Sequence, residues 1–230
     1  MCGRIVQSSE PLRLSIVEGL NAPDTRVSGL KPRYNGAPSQ ELLVIRENHD
    51  TSQRSLDLLR WGLIPHWCDD PTGGRKPIIA KAETVAALPT FRDAYARRRC
   101  IVPVDGFFEW HATSEGKEPY AVAIGSPFAI GGLWENWKSP ITGQWVRTFC
   151  IITTPANVIV SRIHNRMPLI LVRADLARTE RNPADLLHSY PSADMQMWPI
   201  STRVNSPGND DPSILEPATA HTLPPRRKIA

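Results

Sequence analysis

No stretch of the sequence approaches the roughly 18 apolar residues that a membrane helix needs, so no membrane association is expected. The opening residues MCGRIVQSSE hold no apolar h-region, which argues against a secretory signal. Cysteine is sparse. Cys2, Cys68, Cys100 and Cys150 lie far apart and form no C-x-x-C pair. That spacing argues against a structural zinc site and, with no signal, against a disulfide framework. No metal and no other cofactor is expected, and reduced thiols point to the cytoplasm. An excess of one charge is also missing: 27 Lys+Arg stand against 23 Asp+Glu, a net +4. The chain is therefore neither a disordered acidic tract nor a polybasic arm.

What is present in excess is proline, 22 of 230 residues, about twice the usual share of roughly 5%. Proline breaks helix interiors, which excludes an all-α bundle. At 41% hydrophobic and 22% charged, the remainder is ordinary globular composition. A chain of this size buries roughly 70–75% of its unfolded surface, so one domain is expected.

Short apolar runs between turn residues predict strands at 41–46, 56–61, 100–104, 106–110, 120–124, 128–134, 147–153, 169–172 and 198–204. Helical patterns cover about 11–20, 85–97 (broken by Pro89), 156–163 and 183–187. The fold class read from this is a β-rich α/β (α+β) single domain, with a curved or barrel-like sheet and flanking helices. The domain is expected over 1–204. Residues 205–230 carry five prolines, with three acids balancing three bases, and read as a solvated tail.

The charge is uneven. Between Arg75 and Arg99 stand seven bases (Arg75, Lys76, Lys81, Arg92, Arg97, Arg98, Arg99) and two acids (Glu83, Asp93), a local +5. Such a cluster is the footprint of phosphate contact, and equally of a solvated helix end, where basic residues favour the C-terminus.

Four local features carry chemistry. Met1-Cys2-Gly3-Arg4 puts a small residue second, so removal of Met1 would make Cys2 the N-terminus. Its amine and thiol, with reference pKa values near 7.7–8.0 and 8.5, are both reactive near neutrality. Together they can close an aldehyde into a thiazolidine; alternatively the thiol attacks an acyl carbon with the amine as base. Position alone does not separate this from a chance cysteine. In Gly106-Phe107-Phe108-Glu109-Trp110, Glu109 is either a surface acid or a carboxylate in an apolar wall suited to proton transfer. His164-Asn165-Arg166-Met167-Pro168 offers an imidazole beside a guanidinium. In Trp61-Gly62-Leu63-Ile64-Pro65-His66-Trp67, Trp67 is a base-stacking or wedging residue if exposed, and core if buried.

Taken in order, MCGR at 1–4, PRYNGAPSQ at 32–40, WGLIPHW at 61–67, AKAETV at 80–85, RRRCIVPVDGFFEW at 97–110, TTPAN at 153–157 and HNRMP at 164–168 resemble the SOS-response-associated peptidase (SRAP) family. A fainter VNSP-type ending extends the likeness to about Pro212, roughly nine-tenths of the chain. The resemblance implies a monomeric, nucleoid-associated sensor of abasic sites in single-stranded DNA. Cys2 would form a Schiff base with the ring-opened deoxyribose aldehyde and then a thiazolidine crosslink. Glu109 matches the family's acid–base carboxylate, and His164 the histidine that assists sugar opening and slow reversal. Arg4, Asn35, Lys81 and Arg166 fall among the DNA-contacting positions, and Trp67 would block stacking past the lesion. Lyase-like and self-processing peptidase activities are implied as well.

One departure matters. The family usually reads N-A-R before A/S-E-T; here Ile79-Ala80-Lys81 stands in that place. The site amide is lost, and the bidentate Arg becomes a Lys. A lost neutral hydrogen bond costs about 0.5–1.5 kcal/mol, roughly a factor of 2 to 13. Weakened positioning with retained crosslinking is therefore expected. The alternatives are a non-covalent single-strand binder in which Ile79 has ended the chemistry, and a Cys2-dependent thiol peptidase.

Overall fold

The computed structural model describes residues 2–9, 30–47, 54–69, 76–171 and 183–218. Within them the apolar runs form β1 (Arg4–Gln7), β2 (Arg33–Gly36), β3 (Glu41–Glu47), β4 (Arg54–Trp61), β5 (Ile79–Lys81), β6 (Arg99–Val104) and β7 (Gly106–Thr113). They continue as β8 (Gly116–Ala123), β9 (Phe128–Lys138), β10 (Trp145–Pro155), β11 (Arg166–Pro168), β12 (Ile170–Leu171) and β13 (Gln196–Pro199). The one α-helix among the described residues is α1 (Pro89–Arg97).

Pairings β10–β4, β4–β3, β3–β6, β6–β9 and β9–β10 return to their starting strand, which closes a five-stranded barrel. All are antiparallel except β10–β4. β5 and β11 add to β10, and β12 adds to β9. A second sheet runs β13-β8-β7-β1-β2. The barrel expected from the sequence is thus present, with the helical content largely outside it.

Alternate residues of the barrel strands enter different core clusters, which is why those strands read as nearly continuous apolar runs. One face, with Leu42, Val44, Val102 and Ile151, packs with Ile5, Phe107, Tyr120 and Val122 of the second sheet. The other, with Leu43, Ile45, Ile101 and Ile152, packs with Phe91 and Ala94 of α1. Gln7 ties the sheets together: buried, it donates to the carbonyls of Leu43 and Pro103 at 2.9 and 2.8 Å and accepts from the Leu43 N–H at 3.0 Å. At Gly132 on β9 a Cβ would sit 2.7 Å from the Cys150 carbonyl and 3.1 Å from the Cys100 sulfur, so only glycine allows this approach.

Several local expectations shift. The 85–97 helix starts at Pro89, because proline has no N–H to satisfy in a first turn. The 156–163 helix shrinks to a 3₁₀ turn, Val160–Arg162. Asn157 Oδ1 accepts from the N–H groups of Ile159 and Val160, and the run is rich in β-branched residues. Pro183–Leu186 is likewise 3₁₀. The 198–204 strand ends at Pro199, where Ser201 caps a 3₁₀ turn, Thr202–Asn205. The 11–20 helix lies outside the described residues.

Residues 205–218 do not behave as a solvated tail. Ile214 is fully buried with Val6, Phe108, Ala121, Ile200 and Val204 on the outer face of the second sheet. Trp198 Nε1 donates to the Leu215 carbonyl at 2.8 Å, and Asp211 caps the turn Pro212–Leu215. Composition misled here because the prolines and acids of this stretch build turns against a sheet that needs covering.

Candidate active site

Cys2 lies just before β1, in the core cluster that joins the two sheets, and is 1% exposed. β1 pairs with β7 so that Arg4 faces Phe108 and Ile5 faces Phe107, which brings the residue before Glu109 beside the start of β1. Glu109 is itself 1% exposed, in an apolar wall as one sequence reading expected. Its Oε1 accepts from the Trp110 N–H at 3.2 Å. Burial pushes the Cys2 thiol pKa far up, and the neighbouring Glu109 charge adds to it. The thiol is thus protonated at neutral pH and needs a proton acceptor before it can attack. Glu109 is the carboxylate whose field it feels.

Arg4 lies two residues after Cys2, and its Nη1 and Nη2 donate to the carbonyls of Gly3 (3.0 Å) and Asn205 (3.3 Å). Asn205 also accepts, through Oδ1, from Trp110 Nε1 at 2.8 Å. It thereby positions the residues following both Gly3 and Glu109, a role that sequence reading missed. The VNSP ending was its only trace.

His164 sits between Ile163 and Met167, both members of the Cys2 cluster. Its Nδ1 accepts from the Arg166 N–H at 3.0 Å, so a neutral imidazole carries its proton on Nε2. Arg166 forks onto both oxygens of Glu83 and reaches the Thr153 carbonyl. These hydrogen bonds hold the Glu83 carboxyl below its usual range. Glu83 and Thr153 were given no site role from sequence, although both lie within the motifs AKAETV and TTPAN. Thr153 pairs with Lys81 on one side and Pro168 on the other, which gathers β5, β10 and β11 into one edge. Lys81 is exposed there; Ile79 is half-buried and packs on the Cys2 cluster.

Trp67 is 54% exposed, not core. Its loop is fixed: Gly62 takes φ +131° at the exit of β4, Ile64 N–H donates to Thr148 Oγ1 at 2.9 Å, and Trp137 Nε1 donates to the Cys68 carbonyl at 2.6 Å. Asn35 stands apart from this group. It is fully buried, and its Nδ2 donates to the carbonyls of Val204, Ser206 and Asn209. The expected DNA-contacting amide therefore serves the 205–218 cover, because its side chain has no surface to offer.

The family model described as SOS response associated peptidase (SRAP) matches residues 1–207. Abasic site processing protein YoqW of Bacillus subtilis (strain 168) is 39% identical over 228 residues, spanning 94% of this chain and 99% of that protein. Abasic site processing protein HMCES of Gallus gallus is 30% identical over 224 residues, spanning 81% of this chain and 66% of its own length. A crystal structure of a protein from Bacteroides thetaiotaomicron superposes with a TM-score of 0.82 at 28% identity, spanning 94% of this chain and all of that one. On the match of residues 1–207, the chain belongs to the SOS response associated peptidase (SRAP) family.

Proposed function

We propose that this protein captures abasic sites in single-stranded DNA covalently through Cys2, once Met1 is removed, and shields the lesion. Family membership and the names of the relatives support a role at abasic DNA. The observation that carries the covalent reading is the buried Cys2 thiol beside the buried Glu109 carboxylate.

The chemistry balances without a cofactor. The Cys2 amine adds to the C1′ aldehyde and water leaves, giving an imine. The thiol then adds to the imine carbon, its proton passing by way of Glu109 to the ring nitrogen, which closes a thiazolidine. His164 opens the sugar and assists reversal. Arg4, Lys81 and Arg166 hold phosphates without reading sequence. Trp67 interrupts stacking past the lesion. Lyase-like strand processing and removal of Met1 by the protein itself are accessory activities of the same site.

The test is the intact mass of the processed protein before and after mixing with an abasic oligonucleotide. A denaturant-resistant adduct one water lighter than the summed partners is expected, and Cys2→Ala should form none. Equal crosslinking by Cys2→Ala sinks the reading. Ile79 favours a second reading, a non-covalent binder, in which wild type forms no adduct and Ile79→Asn does. Cys2-dependent cleavage of a general peptide with no DNA adduct would instead favour a peptidase.

A further inference from the structure

The basic cluster divides in the fold. Lys81 lies on the β5 edge, whereas Arg92, Arg97 and Arg98 lie on and just after α1. With His66 they line a cleft of about 340 Å³ between α1 and the Trp61–Trp67 loop. We propose that this cleft is a second seat for a DNA backbone phosphate, taking the strand as it passes Trp67.

Two features support the assignment. The cleft is built, not a chance gathering of surface arginines. Buried Glu135, 2% exposed, takes Arg98 Nη2 at 2.7 Å and His66 Nδ1 at 3.4 Å, which fixes one wall from each element. The second feature is the neighbour. Trp67 follows His66 directly in the chain and is exposed. A stacking aromatic beside a basic groove is how single strands are held without sequence preference.

The competing explanation is that these arginines only complement the C-terminus of α1. Arg97 and Arg99 suit that role, and Arg99 Nη1 does donate to the Tyr95 and Ala96 carbonyls. It leaves Arg92 unexplained, because Arg92 sits in the first turns of the helix, where it pairs with Asp93 at 3.2 Å. Three guanidinium groups here face two carboxylates, Asp93 and Glu135, so the cleft keeps a positive balance even with His66 neutral.

The inference rests on the reading of the protein as a DNA binder, but its test needs no aldehyde and no Cys2 chemistry. An intact single strand of about 16 nucleotides is titrated by fluorescence anisotropy at several salt concentrations. Arg92→Gln/Arg97→Gln should lose about 5-fold in affinity at 0.1 M salt for each phosphate contact removed, and its salt slope should fall by about 0.7 per contact. Arg92→Lys/Arg97→Lys should keep the slope. Lys31→Gln/Lys117→Gln, which removes two exposed charges elsewhere, should lose markedly less. Unchanged affinity and slope in the Gln pair, an equal loss in the Lys31/Lys117 pair, or arginine-dependent binding of inorganic phosphate with no effect on the strand would each overturn the proposal. Failure of wild type to crosslink an abasic strand, with the Gln pair still weakened on the intact strand, sinks the covalent function and upholds the cleft.

Discussion

Asn35 and Asp210 clasp each other's segments: Asp210 Oδ1 accepts from the N–H groups of Tyr34 and Asn35 at 2.6 and 2.8 Å, while Asn35 Nδ2 donates to carbonyls at 204, 206 and 209. Asp210 also takes Arg33 Nη1 at 3.0 Å. β2 is the edge strand of the second sheet, so this exchange seals an edge that would otherwise present open backbone groups.

Asn35→Ala should therefore act on stability. It strips buried carbonyls of their donor, at about 1–3 kcal/mol for an unsatisfied group, and a loss of about 2–4 kcal/mol in urea unfolding is expected. A loss below about 1 kcal/mol accompanied by weaker DNA binding would mean that the amide reaches the DNA after all.

The clasp also shows what the sequence could reveal. Strands were legible because turn residues punctuate apolar runs, and Cys2, Glu109 and His164 stood out as candidates because their side chains suit nucleophilic attack and proton transfer. A barrel-like sheet was legible too, but not the manner of its closure. It depends on the parallel pairing of Thr148 and Phe149 with Arg60 and Trp61, residues far apart in the chain whose apolar pattern fits many partners. The 205–218 cover was misread because neutral charge and prolines resemble a tail until Asp210 finds β2. Glu83 and Asn205 stayed hidden for a related reason: each acts by holding another residue, Arg166 in one case and Arg4 with Trp110 in the other. Such roles leave no pattern of their own.

Glu109→Gln separates the two contributions to the Cys2 thiol. Burial is the larger cause of its raised pKa and the Glu109 charge the smaller, so the variant's thiol pKa should fall while remaining above the ordinary value. The adduct should nonetheless form about 100-fold more slowly, since a positioned acid–base group contributes at least that much. Thiol alkylation rates against pH and single-turnover crosslinking give the two readings. Faster crosslinking in the variant would make Glu109 an obstacle rather than a proton carrier.

Cys100 and Cys150, both buried beside Gly132, have thiol pKa values pushed up chiefly by burial. The folded protein keeps these protons at pH values where the unfolded chain, with thiols near 8.5, releases them. Their contribution is fully present below about pH 8.5 and is lost as pH rises toward the folded values. Between pH 7 and 10 each thiol should cost about 2 kcal/mol of stability, at about 1.4 kcal/mol per pH unit above 8.5. Cys100→Ala, weaker at every pH, should decline by about 2 kcal/mol less than wild type over that range. Parallel declines in urea unfolding would show that Cys100 does not titrate on unfolding.

Ile79 stands where the resemblance leads one to expect an Asn, and its surroundings suit an apolar side chain. Its backbone pairs with Ile151 on β10, and its half-buried side chain packs on the cluster that contains Cys2, Ile151 and Ile163. An amide at this position would lose apolar contact, so Ile79→Asn should cost about 1 kcal/mol of stability. It would restore one hydrogen-bonding group beside the β5 edge, where Lys81 and the Glu83–Arg166 pair lie. One neutral hydrogen bond is worth about 0.5–1.5 kcal/mol, so the yield or lifetime of the abasic adduct should rise by a factor of about 2 to 13. Crosslinking time courses on the same abasic strand measure this directly. A variant equal to wild type in both yield and lifetime would show that the apolar side chain at 79 leaves the adduct's environment unchanged.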